Sequence, residues 1–240
     1  MQINQNGWLK LMEHKEIQKI AKDTIEYIKT VIQPGMNLLD VRKICEEKML
    51  SLGADSFWYY DIGAFVFSGE ETVLSVSGRK YKTSDHIIQN NDIITIDLSP
   101  QHNKIWSDFA RTVIIENGSV VQNIENITNA EWRNGLLMEE KLHEKIKEFA
   151  TPSTTFEELF YYMNSFISDN GYVNLDFLGN LGHSIVKSKI KRKYIEKGNH
   201  AKLNDVEFFT FEPHIRKVGG SFGYKKENIY YFRNGDLKEL

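Results

Sequence analysis

Residues 91–115 read NDIITIDLSPQHNKIWSDFARTVII, and the fold turns on how this stretch pairs with itself. Residues 93–98 (IITIDL) and 109–115 (FARTVII) carry the β-branched and aromatic side chains of strands, while 101–104 (QHNK) is turn material. The pattern predicts a β-hairpin. A turn centred between His102 and Asn103 sets Asp97 opposite Asp108. Opposed cross-strand residues bring their Cβ atoms to roughly 4.5–5.5 Å, where like charges repel. A cation between them turns that repulsion into a ligand set.

The same logic recurs 115 and 119 residues later, at Glu212 and Glu227. Residues 206–212 (VEFFTFE) and 224–232 (YKKENIYYF) read as strands around Gly219-Gly220. A turn centred between those glycines sets Glu212 opposite Glu227, although Pro213 cannot donate to a ladder.

These hairpins belong to an internal repeat. Helical patterns over 14–32 and 37–53 flank a Pro34-Gly35 break, and patterns over 130–150 and 155–171 flank Pro152. Asn37 with Asp40, and Thr155 with Glu158, have the form of capping boxes; Gly53 and Gly171 stand where left-handed helix terminators belong. Caps and terminators both repeat at an offset of 118 residues. Each half, 14–120 and 130–240, therefore reads helix, break, helix, strands, acidic hairpin. A pseudo-twofold arrangement of the halves brings both hairpins to the axis and lays helices over the sheet. The expectation is an α+β fold in one catalytic domain over 1–240, with no separate N-terminal domain and no Gly/Ser-rich linker.

A chain of 240 residues can bury a substantial core, and its net charge of −3 gives no general reason to expect nucleic acid or anionic membrane as a partner. No apolar run has the form of a signal peptide or reaches membrane-spanning length, so a cytoplasmic protein is expected. Cys45 falls in a helical pattern and, as the one cysteine, reads as a small buried hydrophobe. Lys187, Lys189, Lys191 and Lys193 alternate, which on a strand sets their ammoniums on one face. That face is either a solvated edge guarded against aggregation or a strip that binds an acidic substrate group. The cluster Phe57-Trp58-Tyr59-Tyr60 reads as core packing or as a substrate-pocket wall.

Carboxylates inside strands rich in Ile, Val and Phe are costly to bury unless paired or bound to metal. With His183, which follows Gly182, they form a hard-oxygen and imidazole set suited to Mn²⁺, Co²⁺, Fe²⁺ or Zn²⁺; the lack of a thiolate set argues against structural zinc. Two divalent ions sharing carboxylates activate water and polarise a carbonyl, which is chemistry for hydrolysis. His214 lies two residues after Glu212 and shares its face if the strand continues past Pro213, making it a candidate catalytic contact. His86, His102, His143 and His200 have weaker claims.

The order Asp97, Asp108, His183, Glu212, Glu227, in the contexts IDL, SDFARTV, LGH, FTFEP and ENIYY, resembles the pita-bread metallopeptidases. These are methionine aminopeptidase, aminopeptidase P, prolidase and their creatinase relatives. The resemblance runs through nearly the whole chain and matches all the metal ligands of the family pattern. It implies a curved, mostly antiparallel sheet covered by helices in a pseudo-twofold repeat. By that pattern Asp97 chelates one ion, Asp108 and Glu227 bridge both, and His183 and Glu212 complete the shell of the other. Glu212 is also the implied proton shuttle. The implied activity is release of an N-terminal residue, of Xaa-Pro or Met type, from a small or modified peptide. C–N hydrolysis of a small non-peptide substrate and a catalytically silent binding module stay open, as does a homodimer.

The chain departs from the family in two places. Members carry a histidine near the end of the stretch equivalent to 67–78 (FSGEETVLSVSG), where this chain has Ser75-Val76-Ser77. They carry another about seven residues after the Gly-His pair, which falls here at Ile190. Loss of one such electrostatic contact costs on the order of 10²-fold in rate. The departures bear on turnover, not on metal binding.

Overall fold

The computed structural model describes residues 5–240, without the side chains of residues 5, 6 and 189. The first helix, α1 (Gln5–Val31), begins well before residue 14, because the buried stripe Leu11, His14, Gln18, Ala21, Ile25, Ile28 already has helical spacing there. Helix α2 (Leu38–Ser51) starts at Asn37, whose side chain accepts the Asp40 N–H, and buries Leu38, Val41, Cys45 and Met49 at intervals of three and four. Burial pushes the Cys45 thiol well up, so it serves as a core hydrophobe, as expected.

Short strand β1 (Ser56–Phe57) leads to β2 (Ala64–Ser68) and β3 (Asp92–Leu98). The chain then runs through β4 (Pro100–His102), β5 (Ile105–Trp106), β6 (Phe109–Glu116) and β7 (Ser119–Val120). Strands β2, β3, β6 and β7 form an antiparallel sheet in the order β2-β3-β6-β7, and α1 and α2 pack on it through a core that includes Ile25, Val41, Val66, Ile96 and Val113.

The hairpin is present, but its register differs from the expected one. Asp97 faces Ala110, and the turn centres on Asn103-Lys104, which adopt left-handed φ values of 50° and 65°. A two-residue turn with both φ positive matches the twist of the flanking strands, and that preference moves the centre one residue on from the expected point. Asp97 and Asp108 are therefore diagonal neighbours rather than a direct pair, a spacing still within reach of their side chains.

The second half repeats the plan. Helix α3 (Ala130–Phe149) and helix α4 (Phe156–Asp169) precede β8 (Tyr172–Asn174), and Thr155 with Glu158 closes a full capping box on α4. Gly53 and Gly171 both have the left-handed φ of helix terminators, 111° and 74°. Strands β9 (Phe209–Phe211), β10 (His214–Lys217), β11 (Gly223–Lys225), β12 (Asn228–Arg233) and β13 (Asp236–Glu239) complete the chain. They split into two antiparallel ladders, β13-β12-β9 and β11-β10-β8. One register runs through both: Thr210 faces Ile229 and His214 faces Lys225, so Glu212 and Glu227 occupy matching positions at the break, as the sequence predicts. Helices α3 and α4 cover this half through Leu142, Ile146, Leu159, Phe211 and Tyr230.

Strand β6 holds the halves together. The Glu227 N–H donates to the Ala110 carbonyl at 3.1 Å, and the Lys225 N–H donates to Thr112 Oγ1 at 2.9 Å. Both acidic hairpins thus end on one seam. No helix of the described residues is long and apolar enough to cross a membrane.

Candidate metal centre

Asp108, Glu212 and Glu227 all sit at junctions between strands, where a ladder is interrupted and the side chain is released from strict alternation. Asp97 alone projects from within a strand, β3. Each of Asp97, Asp108 and Glu227 offers a carboxylate oxygen, and these oxygens lie within 4.8 Å of one another. His183 Nε2 stands 3.6 Å from Asp108 Oδ2 and 3.8 Å from Glu212 Oε1. All five residues predicted as ligands therefore converge.

Gly182 is what lets His183 arrive there. Its φ is +131°, and a Cβ at this position would lie 2.4 Å from the Thr210 carbonyl oxygen. The close approach allows Thr210 Oγ1 to accept the His183 N–H at 3.0 Å and Thr210 N–H to donate to the His183 carbonyl at 2.7 Å. Nδ1 of the ring faces the Ser184 carbonyl at 3.3 Å. A proton on Nδ1 leaves the Nε2 lone pair toward the carboxylates, the tautomer a metal ligand needs. Burial, reinforced by the Arg192 charge, lowers the His183 pKa to about 3, so the ring is neutral.

The donor set fits divalent cations. Glu227 is fully buried, and neither of its carboxylate oxygens has a hydrogen-bond partner. A native protein rarely leaves an acceptor pair in that condition without a ligand for it. Burial and then the neighbouring carboxylates hold Asp108 and Glu227 well above the usual carboxylate range. Burial also pushes Glu212 up to about 7, against the opposing charge of Lys225. Like charges gathered in a poorly hydrated space need a cation to ionise together.

Asp97, Asp108, His183 and Glu212 open onto a cavity of about 670 Å³. Trp58, Tyr59, Phe65 and Phe67 form an aromatic wall, so the aromatic cluster does both things its sequence allowed: Trp58 lines the cavity while stacking on Trp106 at 4.2 Å between ring centroids. His214 is in the wall too. It is not reached by a continuing strand, because β9 ends before Pro213 and β10 begins after it in a different ladder. Its Nε2 donates to the Thr72 carbonyl at 2.7 Å, and burial, with the Lys225 charge, lowers its pKa to about 4.

The lysine strip does not form a strand. Residues Lys189–Lys191 make one turn of 3₁₀ helix, so the alternation of Lys187, Lys191 and Lys193 is not expressed on one face, and the side chain of Lys189 lies outside the described residues. Ile190 is 97% exposed and takes no part in the site. The residue of this segment that enters the cavity is Arg192, with its guanidinium 5.1 Å from the Trp58 ring and 5.4 Å from that of Tyr194. His86, His102, His143 and His200 are absent from the cavity lining.

Sequence reasoning missed four charged residues of the cavity: Lys80, Arg192, Asp176 and Lys225. Lys225 had a signal. It precedes Glu227 by two, the spacing that puts two side chains on one face of a strand. Its ammonium pairs with Asp97 and lies 3.6 Å from Glu212 Oε2. Burial opposes that charge, but Asp97, Glu212 and Glu227 outweigh it and keep the ammonium protonated well beyond its ordinary range. Asp176 had none: it precedes a single 3₁₀ turn, Phe177–Gly179, and is tied to the site by Ser75, whose Oγ donates to its Oδ1 at 3.1 Å.

A family model described as metallopeptidase family M24 matches residues 13–234. Among curated proteins, the uncharacterized peptidase YqhT of Bacillus subtilis (strain 168) is 33% identical over 107 residues, which are 45% of this chain and 28% of that protein. The X-Pro aminopeptidase of Thermotoga maritima MSB8 superposes with a TM-score of 0.78 at 21% identity, covering 95% of this chain and 60% of that one. A prolidase from Pyrococcus furiosus gives 0.75 at 20% identity over 93% of this chain and 61% of its own. A methionine aminopeptidase from Thermotoga maritima gives 0.74 at 16% identity, over 94% and 93% of the two chains. The chain thus spans about 60% of the first two structures and 28% of the curated relative. The α+β, pita-bread fold implied by the sequence is the fold of these structures.

Proposed function

The chain belongs to metallopeptidase family M24, and from that membership we propose that it is a metal-dependent aminopeptidase that releases an N-terminal residue, of Xaa-Pro or Met type, from a small or modified peptide. The observation that carries the reading is Glu227, fully buried with both carboxylate oxygens unpartnered, beside Asp97 and Asp108. In this proposal Asp97, Asp108, His183, Glu212 and Glu227 hold two divalent ions, Mn²⁺, Co²⁺, Fe²⁺ or Zn²⁺. Such ions, when bound, supply Lewis acidity to a peptide carbonyl and acidity to water.

The remaining work falls to the chain itself. Glu212 is assigned the proton transfer, because its carboxylate lines the cavity beside His183, where it can take a proton from water and return it to the leaving amine. His214 is assigned to substrate contact rather than proton transfer, because its Nε2 proton is committed to the Thr72 carbonyl. The aromatic wall formed by Trp58, Tyr59, Phe65 and Phe67 displaces water around the scissile bond.

One observation favours a second reading, C–N hydrolysis of a small non-peptide substrate. Ser75-Val76-Ser77 lines the cavity without an imidazole, and Ile190 points to solvent, so both histidine positions of the family are empty of that side chain. The test is a peptide panel spanning N-terminal Met, Xaa-Pro and acidic sequences, with protein loaded separately with Mn²⁺, Co²⁺ and Zn²⁺. Cleavage that disappears in Asp108→Ala supports the aminopeptidase. Bound metal without cleavage of any peptide shifts the assignment to the non-peptide substrate.

A further inference from the structure

The cavity over the proposed centre has two unlike ends. One is open: Leu74, 46% exposed, lines it together with Val76 and Lys80, and all three also line an adjoining groove of about 500 Å³ that runs on past Tyr81 and Thr83. The other end is shut by Trp58, which is 3% exposed and stacks on Trp106. A peptide cut next to its N-terminus has one residue on one side of the scissile bond and the rest of its length on the other. The long side needs the open end, so the closed end receives the side chain of the residue released.

Arg192 stands at that closed end. After the 3₁₀ turn the chain doubles back and Tyr194 pairs with His183. The Ser184 N–H donates to the Lys193 carbonyl and the Ile195 N–H to the Gly182 carbonyl, both at 2.8 Å. Trp106 Nε1 fastens the outgoing limb by donating to the Val186 carbonyl at 3.0 Å. The Arg192 guanidinium lies over the Trp58 and Tyr194 rings. Both rings meet the His183 imidazole edge-on, at centroid distances of 5.7 and 5.8 Å. The same two rings thus seat the guanidinium and a residue of the proposed centre.

Aromatic faces hold a guanidinium by cation–π attraction, and its fork of N–H donors grips a carboxylate in two parallel bonds. An apolar side chain entering the same space desolvates the charge and returns nothing to it. A charge count points the same way. With two divalent ions cancelling the four carboxylates of the proposed centre, Asp176 offsets only one of Lys80, Arg192 and Lys225, so the cavity is left positive.

We propose that Arg192 selects the residue released: the N-terminal residue of the substrate is acidic, aspartate or glutamate, and Arg192 takes its side-chain carboxylate over the Trp58 and Tyr194 rings. The inference rests on the aminopeptidase reading above and narrows its substrate class.

The test joins cleavage to binding on manganese-loaded protein. Wild type, Arg192→Gln and Arg192→Lys are compared, each shown to fold by its thermal melt and to hold the wild-type complement of manganese by mass spectrometry. Glu-Pro-Ala and Met-Pro-Ala, each with a free and with an amidated C-terminus, are assayed for release of the first residue. L-glutamate and L-methionine, the corresponding products, are titrated calorimetrically. Wild type should prefer Glu-Pro-Ala in kcat/KM and glutamate in affinity, each on the order of 10- to 100-fold, the scale of hydrogen bonds to a charged group, whichever C-terminus the peptide carries. Arg192→Gln should erase both preferences, and Arg192→Lys, which keeps the charge without the fork, should retain part of each. Absence of the preference in wild type, or its survival in Arg192→Gln, overturns the proposal. A preference for the free C-terminus that disappears in Arg192→Gln overturns it too, because the guanidinium then holds the far end of a short peptide. If no peptide is cleaved, the aminopeptidase reading falls, and the calorimetric comparison of glutamate with methionine alone upholds or overturns the carboxylate site.

Discussion

The Glu227 N–H donates to the Ala110 carbonyl across the seam between the two halves, and Arg111 locks that contact. One guanidinium nitrogen, Nη1, donates to the carbonyls of both Ala110 and Glu227, at 2.7 and 2.8 Å, while Nη2 donates to Asn228 Oδ1 at 2.7 Å. The guanidinium also lies 3.8 Å from the centroid of the Phe109 ring. A residue of the proposed metal centre is thus positioned by the backbone of the opposite half.

Arg111→Lys keeps the charge and loses the fork. Lysine cannot satisfy two carbonyls and an amide from one planar group. The variant should lose about 2 kcal/mol of stability in urea unfolding, the scale of hydrogen bonds to a charged group. It should also bind Mn²⁺ about tenfold more weakly, as loss of a ligand's outer support typically does. Wild-type stability together with wild-type Mn²⁺ affinity would mean that the fork does not hold the seam.

Gly182→Ala tests the placement of His183. The added methyl meets the Thr210 carbonyl oxygen at 2.4 Å, and the φ of +131° is strained for any side chain. The expected loss is about 1–3 kcal/mol, from overpacking against backbone that cannot move without breaking β9. Manganese affinity should fall with it. A variant with wild-type melting temperature and metal content would show that the Thr210 contact does not set the histidine.

These two positions also show how much of the molecule its sequence reveals. Gly182-His183 and the four carboxylates were legible because each is a residue type with few reasons to stand where it does. The second hairpin register was legible from the glycines at its centre. The first was displaced because turn chemistry, with left-handed Asn103-Lys104, is decided by backbone twist that residue counting does not include. The start of α1 before residue 14 was not legible, because Leu11 joins the buried stripe only once Trp58, Trp106 and Phe208 are in place around it. Asp176 and Arg192 reach the cavity from irregular segments, where no periodicity assigns a face. Their roles come from tertiary contact alone.

Glu139 is a buried carboxyl with no part in the proposed centre. Both of its oxygens are buried without a partner, and burial raises its pKa well above the ordinary 4.5. A carboxyl raised in the folded state binds its proton more tightly there than in the unfolded chain. Its contribution is therefore fully present below about pH 4.5 and is lost as pH rises through the folded value. Glu139→Leu removes that loss. In manganese-loaded protein the variant should gain stability over wild type, by more at pH 8 than at pH 5, with a slope of at most about 1.4 kcal/mol per pH unit. A difference independent of pH would mean that the carboxyl is ionised in the native state and has found a partner.

The carboxyls of the proposed centre extend the same reasoning to metal removal, and the histidines decide where to look. His14, His143, His183 and His214 are all lowered by burial, so they cost stability as pH falls below their ordinary 6.5 and contribute no slope above it. Asp108, Glu212 and Glu227 are raised, chiefly by burial, with Glu212 near 7. In metal-free protein their stability is lost as pH climbs through those folded values. Below about pH 6.5 the two sets oppose each other; above it only the carboxyls act. Metal-free protein should therefore melt at falling temperatures between about pH 6.5 and 8.5. The rise in melting temperature on adding Mn²⁺ should grow over the same interval, because the ion replaces protons the site otherwise has to release. Differential scanning calorimetry of stripped and loaded protein across that interval makes the measurement. A manganese-induced rise that stays constant with pH would show that these carboxyls are already ionised in the stripped protein, with Lys225 alone neutralising them.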